Sequence, residues 1–321
     1  QPGLASSDRW ESFLEDPSAM VQAYLEDPSC PVQLPKDLVE SIADAFKPPP
    51  AASLVEQDLS DVFATNFTFD EFMAVLRSGG DSAAGASSST YRMLQVAPPE
   101  ILREIFSILS SFWDDRETPD QWKTVLLNLI HKKVDGPDLP SNFRPIGLLE
   151  VLRKVWTKLI LRRIIPVIQR HEVLQPNHFG FLPGRGTASE LLQLLNVLEE
   201  VVEHDLPVDL CTADVSAAFD SPERTVQWAC WRRIGIPAWL ATYLTNLGAL
   251  STYTINSPFG TRKNPYGSSN NPLDNPFHPG RGGTQGDPLS TIAWLVFFDI
   301  MLTALNDVQR RFPFYIRQAG S

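Results

Sequence analysis

The chain contains 321 residues, of which 43% are hydrophobic and 20% charged, and its formal net charge is -11. That length suits one large domain or two ordinary ones, and the apolar share can fill a sizeable core, which excludes wholesale disorder. Cys30, Cys211 and Cys230 have neither zinc-ligand spacing nor an even disulfide count, so a reduced intracellular compartment, nucleus or cytoplasm, is expected.

The chain opens on Gln1 rather than Met, as a fragment or processed chain would. No basic-then-apolar leader follows, which argues against secretion. The longest apolar stretch, Thr291 to Leu305, is broken by Asp299 and reads as too short to span a bilayer, so no membrane partner is expected. Charge is divided by position. Residues 1–120 carry 21 acidic and 7 basic side chains, a net of -14, whereas residues 121–321 carry 17 and 20, a net of +3. Within the latter, 121–185 holds 11 basic against 4 acidic residues, a net of +7. A polyanion binder needs a local basic face rather than a basic total, and a solvated helix surface would give the same count.

In chain order, residues 1–65 are acidic and Pro-rich, with Leu-Glu-Asp-Pro-Ser at 14–18 and again at 25–29. Asp-Pro-Ser predicts a turn that begins or ends a short helix. Thr68 and Glu71 have capping-box spacing, with Phe67 and Phe72 at the staple positions and Gly79-Gly80 as a stop. A small-residue loop over 81–90 leads to a second helix opening at Pro98-Pro99, with Leu102, Ile105, Phe106 and Leu109 on one face. Thr124 to Ile130 reads as a buried strand, and a turn then brings in Asn142-Phe143-Arg144. The next helix carries Arg153, Lys154, Lys158, Arg162 and Arg163 on an apolar frame.

Val208 to Ala213 is a short apolar segment that places Asp214 at the exposed end of a buried strand. Ser221-Pro222-Glu223 predicts the N-cap and first turn of a helix. Residues 257–283 are rich in Gly, Asn and Pro and too long for an ordinary loop. Leu295, Phe298, Leu302 and Leu305 mark a last helix. Helices and strands mix without a regular alternation, which predicts an α+β fold.

Three segments carry chemistry. In Ala-Asp-Val-Ser-Ala-Ala-Phe-Asp at 213–220, a carboxylate ending a strand is placed to hold a divalent cation with hard oxygen ligands. Phosphoryl transfer by two metals needs such carboxylates around ions about 3.5–4 Å apart. In Gly-Gly-Thr-Gln-Gly-Asp-Pro-Leu-Ser at 282–290, glycines let a backbone approach a ligand ahead of a helix N-terminus that favours phosphate. Lys132, Lys133 and Arg144 flank a turn and could clamp a triphosphate, the arginine as a bidentate fork. Taken singly, each is more readily a cap, a turn or surface charge.

In order and together, these segments resemble reverse transcriptases. Trp122-Lys123, Lys132-Lys133 and NFRPIGLL at 142–149 are similar to the fingers motifs of that family, and QPNHFGFLPGRG at 175–186 to the block that follows. ADVSAAFD resembles motif A and GGTQGDPLS motif B, with Gly-Asp-Pro-Leu-Ser closest to non-long-terminal-repeat retrotransposons. The resemblance runs from about Phe67 to Leu305. It implies a right-hand polymerase fold with an acidic N-terminal region at 1–65, fingers at 66–205 and an incomplete palm at 206–321. It implies that Asp214, with the Val215 carbonyl, binds Mg2+ or Mn2+, and that Phe219 is the aromatic gate against a ribose 2′-hydroxyl. Gln285 and Gly286 would line the incoming deoxynucleoside triphosphate and the template base, while Arg144 with Lys132 or Lys133 would contact the triphosphate. Phe181 and Arg185 would lie on the template side, and Asp220 would be structural. RNA template and DNA primer are the implied partners, with an endonuclease domain elsewhere in a longer parent.

The sequence departs from the family pattern in two places. No aromatic-x-Asp-Asp block follows motif B, and Asp299 lies mid-helix where it cannot replace one, so the chain alone is expected not to polymerise. The 257–283 stretch is also longer than the expected spacing between motifs A and B. Two other readings compete. An RNA-dependent RNA polymerase would have to admit ribose, which Phe219 opposes, and a non-catalytic nucleic-acid-binding remnant would rely on the basic 121–185 segment.

Overall fold

Caps and apolar spacing account for most of the elements in the computed structural model, which describes residues 13–133, 139, 142–208, 210, 212–257, 260–261 and 278–311. The two Asp-Pro-Ser repeats bracket one helix. Asp16 caps α1 (Pro17–Glu26) by accepting from the Ala19 N–H at 3.0 Å, and Asp27 closes it, its carboxylate then taking the Ser29 N–H at 2.8 Å. Helices α2 (Lys36–Asp44) and α3 (Ala52–Phe63) follow. The expected capping box opens α4 (Phe69–Arg77): Thr68 Oγ1 accepts from Glu71 N–H, and Glu71 Oε2 accepts from Thr68 N–H. After the short α5 (Tyr91–Gln95), α6 (Pro99–Asp114) starts on its proline and buries Leu102, Leu109 and Trp113.

Strand β1 (Thr124–His131) pairs antiparallel with β2 (Phe143–Leu148) and parallel with β3 (Thr252–Ser257), and β3 pairs with the short β4 (Gly260–Thr261). Among the described residues this gives one four-stranded sheet, ordered β2-β1-β3-β4. The protein is α+β. Contrary to expectation β1 is buried only at Val125 and Leu127, while Leu129 and Ile130 are exposed, because that end of the hairpin projects past the elements that cover the sheet. Most of the 257–283 stretch lies outside the described residues.

Helix α7 (Val151–Arg170) is the axis of the core. Val155, Trp156, Leu159, Ile160 and Ile164 meet residues from α3, α4, α6 and from the later helices α9 (Arg224–Arg233), α10 (Ala238–Ala249) and α11 (Pro288–Arg311) in one continuous apolar cluster. The acidic N-terminal region joins it through Val55, Leu59 and Phe63, while Ser41 Oγ donates to Asp307 and Arg233 Nε to the Ala45 carbonyl.

The basic residues of α7 make neither a solvated surface nor a uniform polyanion face. Arg153 is 1% exposed; it pairs with Asp287 at 2.8 Å and donates to Trp122 O, Leu247 O and Ser251 Oγ. Arg163 grips Glu71 with two nitrogens at 2.9 and 3.0 Å and lies 4.2 Å from the Phe67 ring centroid. Buried cations need partners of this kind, so much of the local charge excess is spent inside the fold.

Helix α11 differs from expectation in face and length. Its buried side chains are Leu289, Ser290, Ile292, Leu295, Val296, Asp299, Ile300 and Ala304, while Leu305 is exposed and Phe298 and Leu302 are only half-buried. By length and composition alone Pro288–Val308 could cross a membrane. The fully buried Asp299 makes it a core helix, since it is paired with Arg233 at 2.7 Å and accepts the Gln175 N–H at 2.7 Å. Cys30 and Cys230 are free and buried, and burial pushes the Cys230 thiol up to about 12. Cys211 lies outside the described residues.

Candidate functional site

The turn at 282–286 is where the ordered motifs meet. From the motif A side, Phe219 and Pro222 present carbonyls to the N–H groups of Gly283 and Gly282, at 2.7 and 2.8 Å. From the sheet side, Gly147 of β2 donates its N–H to the Gln285 carbonyl at 2.7 Å. Packing there leaves no room for a side chain at either glycine. A Cβ on Gly147 would lie 2.1 Å from Thr284 Cγ2, and one on Gly282, whose φ is +78°, would lie 2.7 Å from the Asp220 backbone. Glycine is therefore required by contact at 147 and by contact and conformation at 282. Arg153 holds the same turn from beneath, since its partner Asp287 also accepts the Leu289 N–H and so caps α11.

Phe219 stands at this junction. Its ring lies 6.3 Å from that of Trp294 on α11 and 6.4 Å from that of Phe181. Gln285 is half-buried and Gly286 exposed, so both reach a surface that a nucleotide could use. Lys132 and Arg144 sit near the free end of the β1–β2 hairpin, where Ile130 faces Arg144 and the Lys132 N–H continues the ladder to Asn142 O at 2.8 Å. Lys133 follows with φ +56°, its N–H on His131 Nδ1. Lys132, Lys133 and Arg144 are all exposed.

The surroundings of Asp214 correct the sequence reading. Val208 and Leu210 are 50% and 62% exposed, Thr212 to Ala217 are exposed, and no strand forms over the described residues of 208–215. A strand is stable only where neighbours pair its backbone and cover a face, and among the described residues this segment has neither. Asp214 and Val215 thus occupy an exposed stretch without regular structure. The turn Ser216 to Asp220 follows, with Ala217 in the left-handed region at φ +51° and Asp220 N–H on Ala217 O at 2.9 Å. Ser221 does not cap a helix. Its hydroxyl donates to Ala217 O at 2.8 Å, and α9 starts at Arg224 because the tight turn consumes the intervening residues. Nearby protein raises the Asp220 carboxyl above its usual range, although the residue still faces solvent in part.

Arg185 is exposed, and its guanidinium donates to Pro176 O and His178 O and so closes its own loop. Burial holds the His178 imidazole below its usual pKa, and its Nε2 bonds the Leu295 carbonyl. Phe112-Trp113-Asp114-Asp115 has the aromatic-x-Asp-Asp spelling, yet it ends helix α6 with Trp113 buried in the core rather than forming a hairpin. Among the described residues no three His, Cys, Asp or Glu side chains cluster as a metal site. The donors available to a cation at motif A are the Asp214 carboxylate and the Val215 carbonyl. Both are hard oxygens, and a magnesium ion held by one or two carboxylates plus substrate phosphates and water fits such a partial set.

Gly147, Thr284, Arg153 and Asp287, which build the junction, were not legible as such in the sequence. Only the glycine within a strand hinted at a close backbone approach.

Residues 130–316 match the family model described as reverse transcriptase (RNA-dependent DNA polymerase). The chain is 29% identical over 102 residues to a probable RNA-directed DNA polymerase from transposon BS of Drosophila melanogaster, covering 32% of this chain and 11% of that protein. It is 27% identical over 190 residues to the Pol polyprotein from a type-1 retrotransposable element R2 of Popillia japonica, covering 59% and 24%. To the type-2 element R2DM of Drosophila melanogaster it is 31% identical over 166 residues, covering 52% and 14%. The matched region thus spans at most 24% of the length of these relatives.

Proposed function

The chain belongs to the reverse transcriptase (RNA-dependent DNA polymerase) family, of non-long-terminal-repeat retrotransposon type, and from that premise we propose that it supplies the fingers and part of the palm of an RNA-templated DNA polymerase. The observation that carries the reading is the convergence of NFRPIGLL, ADVSAAFD and GGTQGDPLS on one turn, through Gly147, Phe219 and Gly282-Gly283. Separate surface motifs would have no reason to meet there. We assign fingers to 66–205 and a partial palm to 206–321 of a right-hand polymerase, with RNA template and DNA primer as partners.

Asp214 and the Val215 carbonyl hold Mg2+ or Mn2+. When bound, such ions lower the pKa of the attacking 3′-hydroxyl and stabilise charge on the phosphoryl oxygens. The chain's own groups position the substrate. Lys132 or Lys133 and Arg144, on one hairpin end, neutralise the triphosphate. Phe219, wedged between Phe181 and Trp294, excludes a ribose 2′-hydroxyl, and Gln285 with Gly286 carries the sugar and templating base. Among the described residues the segment bearing Asp214 is open and unpaired, and it becomes a strand when neighbouring backbone and further carboxylates come to it.

Primer extension with magnesium or manganese tests this. Asp214→Ala in the full-length parent should abolish extension, while Phe219→Val should mainly relax selection against ribonucleotides. Wild-type extension by the Asp214 variant would refute the metal assignment. The 321-residue chain alone should not extend a primer, and activity there would overturn the reading of Asp214 as incomplete.

A further inference from the structure

A cavity of about 440 Å³ opens on the β2 side of the motif B turn, walled by the 80–83 loop, β2, Gly286 and Pro288. Tyr91, Lys154 and Lys158 also line it, and both ammonium groups lie against the Tyr91 ring, Nζ to centroid 5.8 Å for Lys154 and 5.4 Å for Lys158. Lys154 is buried and committed to the wall, donating to Ser82 Oγ at 2.9 Å and Ala83 O at 3.1 Å. Burial, and then the neighbouring Lys158 charge, hold the Lys154 ammonium below its usual pKa. Lys158 is half-buried and makes no hydrogen bond or ion pair among the described residues.

Two like charges share one pocket, and the carboxylates of Glu150 and Asp287 offset only part of the cost at Lys154, so an anion at Lys158 would relieve the rest. The only acidic lining residue is Asp81, which is exposed, while nearby Glu150 is occupied by the Ser87 N–H and hydroxyl at 2.7 and 2.5 Å. Gly286, which places no side chain in the way, and Pro288, the first residue of α11, also line the cavity. The Tyr91 hydroxyl is shut away from solvent without a hydrogen bond, so the ring serves as a platform for the cations and the hydroxyl is not a ligand donor.

We propose that this pocket binds a backbone phosphate of a single-stranded nucleic acid running past Gly286, with the Lys158 ammonium as the direct ligand and Lys154 and Tyr91 fixing its position. The inference rests on the reading that Gly286 lines a nucleic-acid strand, and it adds a strand contact distinct from the triphosphate clamp of the β1–β2 hairpin. Volume favours a strand over an isolated ion, because the cavity exceeds the size of a phosphate and can take part of a sugar as well.

Fluorescence anisotropy of a labelled single-stranded oligonucleotide, titrated with the chain at several salt concentrations, tests the proposal. Lys158→Gln should weaken binding about tenfold, the scale of one charge-assisted contact. It should also reduce the slope of log K against log salt by about 0.7, the share of one phosphate on a single strand. Lys158→Arg and Tyr91→Phe should bind as the unaltered chain does. Unchanged affinity and slope in Lys158→Gln, with both reduced in Lys132→Gln, would overturn the pocket and leave the polymerase reading intact, since that reading stands on Asp214-dependent extension. Full displacement of the oligonucleotide by inorganic phosphate at equal concentration would overturn it in favour of a free-anion site, and so would failure of the unaltered chain to bind at low salt.

Discussion

Helix α7 and the helix at Thr187–Glu203, here α8, are both long and rich in leucine, isoleucine and valine, yet they meet opposite fates. In α7 twelve of the twenty residues are buried, including two of its basic ones. In α8 no residue is buried; Leu191, Leu192, Leu195 and Val202 are 54–79% exposed, and the following Val208 and Leu210 remain exposed as well. The difference teaches that amphipathic spacing makes a helix but does not supply what covers it. Around α7 the partners are present in the same chain. Along 187–215, which leads into Asp214, they are not among the described residues. This division also separates the two halves of the site, since the motif B turn is held from three sides while no described residue pairs with the Asp214 stretch.

Substitutions can break that comparison. The largest effect should come from the buried pair Arg233–Asp299, with side chains 3% and 0% exposed. Asp299→Ala leaves an uncompensated buried cation and should cost about 3–5 kcal/mol in urea unfolding. A loss below about 1 kcal/mol would mean that the pair is open to water. Next, matched truncations contrast the helices directly. Leu159→Ala on α7 should cost about 2–5 kcal/mol, whereas Leu195→Ala on α8 should stay within about 0.5 kcal/mol. Equal losses would show that α8 is covered in solution.

The smallest effect concerns pH. Burial opposes ionisation of Glu71, but the Arg163 fork and the Thr68 N–H outweigh it and hold the carboxyl below its usual range. A depressed carboxylate contributes stability above its unfolded pKa and loses it as pH falls through the folded value. The stability gap between the wild-type chain and Glu71→Gln should therefore narrow as pH drops from about 6 to about 3. Because the Glu71 side chain is 37% exposed, the gap should not exceed about 1 kcal/mol. A gap that widens on acidification would contradict the assignment.

The sequence by itself determined the helices whose caps and spacing agree, such as α4 behind Thr68 and α6 behind Pro99, and the order of motifs that identifies the family. These signals are local: a cap bonds three residues away, and a motif reads along the chain. It also placed Lys132, Lys133 and Arg144 on a hairpin, because a turn between two runs brings its flanks together. Only the tertiary structure decided which charges are buried, since Arg153 and Asp287 are 134 residues apart and nothing near Arg153 marks its burial. Tertiary structure likewise placed β3 beside β1, fixed Gly147 against Thr284, and set Lys158 beside Tyr91. Among the described residues it also left 208–215 without a strand: the apolar pattern is there, but a strand is a property of its neighbours, and no described segment pairs with the stretch that carries Asp214.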